Sequence, residues 1–128
     1  EKFKKISIFM NVFNVHVNRS PVNGNIEKII YKNGKFFNAS LDKASEHNER
    51  NSFIIETNTD KIVVVQIAGL IARRILSFIS EGDKIDKGDR IGLIRFGSRV
   101  DIYFPPTYEI KVNQNDIVVA GETIIAER

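Results

Sequence analysis

The chain is predicted to be mainly β, folded as a barrel or sandwich of short strands. Two features of the sequence say so. Short runs rich in Ile, Val and Phe are punctuated by Asn-Gly and Gly-Asp turn signals. A turn-strand-turn-strand unit also occurs twice. Gly82-Asp83-Lys84-Ile85-Asp86-Lys87-Gly88-Asp89-Arg90-Ile91 matches Asn115-Asp116-Ile117-Val118-Val119-Ala120-Gly121-Glu122-Thr123-Ile124, with turn residues and β-branched positions in register. Repeated short strands of this kind imply a closed or two-layered antiparallel architecture.

The elements follow in order. Residues 5–13 and 15–17 are apolar and β-type. A strand over residues 26–31 follows the turn signal Pro21-Val22-Asn23-Gly24. A weaker third copy of the repeat is expected at residues 24–36, ending in Asn33-Gly34-Lys35-Phe36. Residues 38–51 form the one long polar segment, expected to be an exposed loop with a helical turn. Strands over residues 53–56 and 62–67 flank the polar turn Thr57-Asn58-Thr59-Asp60. Residues 71–79 suit a strand or a short helix equally, since their apolar positions fit both periods. Residues 91–96 and 100–104 are the last clear strands. Two clear copies are too few for a solenoid.

Composition narrows the function classes. The chain has 128 residues, one domain's worth, with 42% hydrophobic and 27% charged content, as in an ordinary soluble domain. Cysteine is absent, which removes disulfides, thiolate metal sites and thiol nucleophiles. His16 and His47 lie far apart in sequence, and no metal site is expected. The net charge of +3 and pI near 9.2 come from scattered basic residues, which permits attraction to phospholipid headgroups. No RNA-recognition signature and no long basic helix face is present, so nucleic acid is not expected as a partner. The longest apolar stretch, residues 62–72, is interrupted by Gln66 and is too short to span a bilayer. The chain opens mid-pattern at Glu1-Lys2-Phe3 without an initiator Met or leader, so it is expected to be a piece of a longer protein.

Most enzyme motifs are missing. Ser98 is followed by Arg99 and Val100, so there is no Gly-x-Ser-x-Gly elbow, and no P-loop, His-Glu-x-x-His or dinucleotide fingerprint occurs. Asp83, Asp86 and Asp89 fall in the turns of the repeat and are expected to be solvated. Three clusters remain. The first is Asn11-Val12-Phe13-Asn14-Val15-His16-Val17-Asn18-Arg19-Ser20-Pro21, in which His16 is either an ordinary strand histidine or an acid/base. The second is Asn48-Glu49-Arg50-Asn51, whose charges are expected at the surface. The third is Arg95-Phe96-Gly97-Ser98-Arg99-Val100-Asp101, with Tyr103-Phe104-Pro105 behind it. Here a Gly carbonyl at a bend stands beside a Ser hydroxyl, either in a plain hairpin turn or where a chain cuts itself.

The repeat resembles the halves of biotinyl and lipoyl carrier domains, and Asp42-Lys43-Ala44 resembles a lipoylated tripeptide. Lys43, however, precedes both copies instead of lying between them, so it reads as a decoy. The three clusters together resemble phosphatidylserine decarboxylase in its shorter form. Gly34-Lys35-Phe36-Phe37-Asn38-Ala39 and Gln66-Ile67-Ala68-Gly69-Leu70-Ile71-Ala72-Arg73-Arg74 extend the resemblance over essentially the whole chain.

That resemblance implies a single catalytic domain over residues 1–128, cut between Gly97 and Ser98 into a long chain (1–97) and a short one (98–128). Ser98 would become a pyruvoyl group, the electron sink when phosphatidylserine loses CO2 to give phosphatidylethanolamine. His16 is the implied acid/base, and Arg50 or Arg99, with Arg73 and Arg74 behind them, would hold the lipid phosphate. The implied setting is peripheral, on the cytoplasmic side of a bacterial cell membrane, and a homo-oligomer is compatible with it. Longer bacterial relatives carry a second histidine where this chain has Arg19, and an upstream Pro-x-Asp-Gly segment that it lacks. The base for self-cleavage is therefore open. The alternatives are a non-catalytic carrier or binding module on a biotinyl/lipoyl-like barrel, and a structural β-domain with a basic, phospholipid- or nucleic-acid-facing surface.

Overall fold

Antiparallel strand pairing builds the whole architecture. The computed structural model describes residues 3–10, 17–34, 48–69, 75–94, 98–118 and 123–128. These hold β1 (Lys4–Met10), β2 (Val17–Arg19), β3 (Gly24–Lys32), β4 (Arg50–Glu56), β5 (Lys61–Ile67), β6 (Ile75–Ser77), β7 (Lys84–Ile85), β8 (Arg90–Ile94), β9 (Ser98–Phe104), β10 (Glu109–Ile110) and β11 (Ala126–Glu127). No helix occurs among the described residues, as the mainly-β reading expects. A six-stranded sheet runs β1-β9-β5-β4-β3-β7, a three-stranded sheet β2-β8-β6, and β10 pairs with β11.

Period-two alternation divides the large sheet into two faces. Phe53 and Ile55 of β4, Ile62 and Val64 of β5, and Val100, Ile102 and Phe104 of β9 are buried on the core side. Ile91 and Ile94 of β8 pack into the same cluster, so both sheets share one core. The outer face of the large sheet carries a second, smaller cluster: Val65 and Ile67 are buried there, with Val63 and Tyr103 against them. A sheet buried on both faces explains why β5 reads as the unbroken apolar run Ile62-Val63-Val64-Val65.

The repeat is visible as turn chemistry. In the first copy Asp83 N–H donates to Ser80 O at 3.1 Å while the Asp83 carboxylate accepts from Ser80 N–H at 2.8 Å. The second copy does the same with Asp116 and Asn113, at 3.1 and 2.7 Å. The third residue of each turn adopts positive φ, 91° at Gly82 and 72° at Asn115, where only Gly and Asn are readily accommodated. Asp86 to Asp89 repeats the device within the first copy, at 3.0 and 2.8 Å, with Gly88 at 89°. These aspartates are exposed, as expected, but they close turns.

Two expectations are corrected, and one of two open alternatives is excluded. The third repeat copy is absent over its described part, because residues 24–32 form the single strand β3. Residues 48–51 are not an exposed loop end: Asn48, Glu49 and Asn51 are buried, and Arg50 opens β4. The strands flanking Gly97-Ser98 do not form a hairpin, since β8 belongs to the three-stranded sheet and β9 to the six-stranded one. Of the ambiguous stretch at 71–79, residues 75–77 are strand; residues 71–74 and the loop at 38–47 lie outside the described residues.

The far end of the sheet is fastened by Tyr108. Its ring lies 5.5 Å from that of Phe104, its hydroxyl donates to Asp60 Oδ1 at 3.3 Å, and its carbonyl accepts from Lys4 Nζ at 2.6 Å. Burial, then the charge and hydrogen bond of Asp60, push the Tyr108 hydroxyl above its ordinary value of 10.0. A phenol with a raised folded-state value stabilises the fold fully below pH 10.0, and the contribution disappears as pH rises through the folded value. Urea unfolding followed against pH should therefore show stability falling above pH about 10, and Tyr108→Phe should make that alkaline fall shallower.

Candidate active site

Ser98 is the first residue of β9, and its backbone is paired across from Met10 of β1. Arg99, next along, faces Phe9 on one side and Ile67 of β5 on the other. The chain after residue 97 thus enters the sheet as an internal strand, with a neighbour on each flank. Gly97 itself lies outside the described residues, as do His16, Arg73, Arg74 and Lys43.

Arg99 and Arg50 fall in one cross-strand row, Arg50–Ile67–Arg99–Phe9, on the outer face of the sheet. Arg99 is only 4% exposed. Its Nε lies 3.0 Å from Asp101 Oδ1 and a terminal nitrogen 3.3 Å from Oδ2, while its guanidinium sits 5.7 Å from the centre of the Phe9 ring. One charge-assisted hydrogen bond and the close Nε–Oδ1 approach hold the guanidinium against a fully buried carboxylate, and the aromatic ring closes one side of it. Arg50 is half-buried and lines a shallow concavity of about 250 Å³ with Lys32, Ser52, Asp101 and Tyr103. Burial raises the Tyr103 hydroxyl above its usual value, and the charge of Asp101 adds to this against Arg99 and Arg50.

On the core side, the same end of the sheet is polar. Gln66, fully buried, donates from Nε2 to Asn18 Oδ1 at 2.8 Å and to the Leu76 carbonyl at 3.4 Å. Its Oε1 accepts from Asn51 Nδ2 at 3.1 Å. Asn48 Nδ2 donates to the Ala68 carbonyl at 2.7 Å, and Asn18 Nδ2 approaches the Met10 sulfur at 3.9 Å. One amide therefore joins β2, β4, β5 and β6. Gly92 of β8 leaves the room for it: a Cβ there would stand 2.3 Å from Gln66 Nε2 and 2.5 Å from the Leu76 carbonyl.

Comparison with known proteins agrees with the motifs. The model of the phosphatidylserine decarboxylase family matches residues 1–126. The chain belongs to that family. It is 63% identical over 123 residues to a phosphatidylserine decarboxylase proenzyme of Azorhizobium caulinodans, covering 96% of this chain and 53% of that protein. It is 58% identical over 127 residues to the proenzyme of Xanthobacter autotrophicus, covering 99% of this chain and 54% of that protein. The chain spans about half the length of the curated relatives it matches. No solved structure matches it.

As a phosphatidylserine decarboxylase family member, the chain keeps its Gly-Ser pair at the point where the two sheets meet in sequence. The structure brings Arg50 and Arg99 into one row, with Ser98 in the row beside it. Asn18, Asn51 and Gln66 were not singled out from the sequence as functional. A signal existed for Gln66: an amide inside an apolar strand needs buried partners. Replacing it by Leu strands Asn18 Oδ1 and Asn51 Nδ2. Gln66→Leu should cost about 3 kcal/mol in urea unfolding, since each stranded buried polar group costs roughly 1–3 kcal/mol.

Proposed function

We propose that this chain is the catalytic part of a pyruvoyl-dependent phosphatidylserine decarboxylase that matures by cutting its own backbone between Gly97 and Ser98. Family membership over residues 1–126 supports the activity, and both relatives are named as proenzymes. The carrying observation is the place of Ser98. β8 and β9 pair in different sheets, so a break before Ser98 separates no hydrogen-bonded pair of strands. Residues 98–104 stay bound by β1 and β5, which pair with β9 along both edges. The position therefore fits a prosthetic group made from residue 98: it would stand at a strand's new N-terminus, held without a covalent link to residue 97.

In the chemistry of this reading, Ser98 Oγ adds to the Gly97 carbonyl carbon and the C–N bond opens, turning the amide into an ester. Loss of the Ser98 α-proton expels the Gly97 carboxylate. Water then removes the nitrogen as ammonia and leaves a ketone. When formed, that pyruvoyl group supplies the electron sink for decarboxylation of the phosphatidylserine headgroup. His16, one residue before β2, is the proposed acid/base for the decarboxylation. Of the two arginines, Arg50 is the better placed for the lipid phosphate, because it is half-buried beside Lys32 in an open concavity. Arg99 is closed in by Asp101 and Phe9 and anchors the start of β9. The partner is a phospholipid surface, reached as a peripheral protein on the cytoplasmic side of a bacterial membrane. The net charge of +3 is compatible with it.

Denaturing electrophoresis with intact-mass measurement tests the reading in the natural full-length protein. The native protein should yield two fragments divided at Gly97 and Ser98, the smaller one blocked to Edman sequencing. Ser98→Ala should give one uncut chain and no release of CO2. Decarboxylation that persists in Ser98→Ala would rule the reading out.

A further inference from the structure

Strand pairing gathers basic residues from distant parts of the sequence onto one side of the molecule. On the outer face of the large sheet, antiparallel register sets side chains in rows across β3, β4, β5, β9 and β1. One row is Lys32–Arg50–Ile67–Arg99–Phe9. Two residues along each strand, the next row holds a single charged residue, Asp101, fully buried and ion-paired with Arg99. The row after that has a lysine at each end: Lys28–Ile54–Val63–Tyr103–Lys5. Asp101 is the only carboxylate in these three rows, and Arg99 offsets it. Lys5, Lys28, Lys32 and Arg50 then add four positive charges, more than the net +3 of the whole chain. One row further the charge is balanced again, with Lys61 Nζ 2.9 Å from Glu27 and Lys61 in register with Glu56.

Lys5, Lys28 and Lys32 are exposed, and so are two large apolar side chains among them, Phe9 at 53% and Ile30 at 46%. Ile30 borders the concavity that holds Lys32, Arg50 and Tyr103. Four strand spacings, about 19 Å, separate the backbones of Lys28 and Lys5. An aromatic ring and an isoleucine framed by lysines suit an anionic lipid surface: the apolar groups enter the headgroup layer and each cation adds attraction. A second copy of this chain does not suit the face, because like charges would meet across it.

We propose that the outer face of the six-stranded sheet, around Lys5, Phe9, Lys28, Ile30 and Lys32, is where the protein lies on a membrane of anionic phospholipid. This inference rests on the lipid-substrate reading above and names the surface through which the bilayer is reached. The lysine ammonium groups meet lipid phosphates, and Phe9 and Ile30 enter between the headgroups. Arg50, in the row of Lys32, stands at the same surface.

Sedimentation with vesicles tests this in the natural full-length protein. The probe is phosphatidylcholine with about 30% phosphatidylglycerol, an anionic lipid that the decarboxylation does not consume, set against phosphatidylcholine alone. The native protein should bind only the anionic vesicles, and about 0.5 M salt should release most of it. Lys5→Gln with Lys28→Gln should bind roughly twentyfold more weakly, about four- to fivefold for each lysine, with the melting temperature unchanged. Lys87→Gln with Arg90→Gln removes two exposed charges from a turn and from the three-stranded sheet, and should bind like the native protein. Amine labelling of Lys5, Lys28 and Lys32 in the native protein needs no variant; it should be high in solution and fall when vesicles are added. A native protein that ignores anionic vesicles overturns the proposal, even if it binds nucleic acid instead. Equal binding by the Lys5/Lys28 variant and the native protein overturns it, and so does an equal loss in both double variants, which would make net charge the cause. Low labelling before vesicles are added also overturns it, since protein would then cover the face. Release of CO2 from detergent-dispersed phosphatidylserine is a separate readout, which the Lys5/Lys28 variant should retain. If the native protein releases none, the decarboxylase reading has failed; if it releases CO2 but ignores the vesicles, only the docking face has.

Discussion

The pairing of β9 with β1 on one edge and β5 on the other is the constraint on which the rest depends. It fixes Ser98 opposite Met10, Arg99 opposite both Phe9 and Ile67, and Asp101 opposite Ser7 and Val65. A slip of one residue would exchange the faces, placing Arg99 in the hydrocarbon core and Val100 beside Asp101's neighbours. The register is held because both faces of the sheet are buried here. Val100, Ile102 and Phe104 fill the core on one side, and Arg99 and Asp101 form a buried ion pair on the other. Removing either member of that pair would leave a buried charge without compensation, a much larger loss than the pair's own net contribution.

With β1 and β5 paired along its two edges, β9 would keep its place if the chain were cut before Ser98, as proposed. Covalent continuity before Ser98 contributes nothing to the hydrogen bonding of β9, because β8 lies in the other sheet. The three-stranded sheet is instead tied to the larger one through side chains. Ile91 and Ile94 join the common core, and Gln66 reaches Asn18 of β2 and the Leu76 carbonyl of β6. The polar end of the core is thus a joint between two layers. Its rigidity comes from a saturated set of amide contacts with no space for a side chain at Gly92.

Much of the fold was legible because it rests on local chemistry. The turn at Ser80–Asp83 and its counterpart at Asn113–Asp116 need an aspartate to cap the first N–H and a Gly or Asn at positive φ, and both needs are written in adjacent residues. Strand β5 announced itself by its β-branched run, and β9 by the alternation of Val100 and Ile102 followed by two aromatics. The misreadings share one cause: they concerned what a residue meets far away in sequence. Glu49 reads as a surface charge until Tyr31 and the backbone of Ala68 come to it, and residues 24–36 look like a repeat until β4 pairs along the length of β3.

By itself, then, the sequence determined the β class, the paired turns and the family, because each is carried by residue types at short spacing or by ordered motifs along the chain. Which buried groups meet at one end of the core was decided only by tertiary structure. Glu49, Gln66 and Ser98 are separated by long stretches of chain, and only the antiparallel register of four strands sets them at one end of the core. Burial, which turns an ordinary carboxylate or amide into a committed one, is likewise a property of the assembled sheets and not of any segment within them.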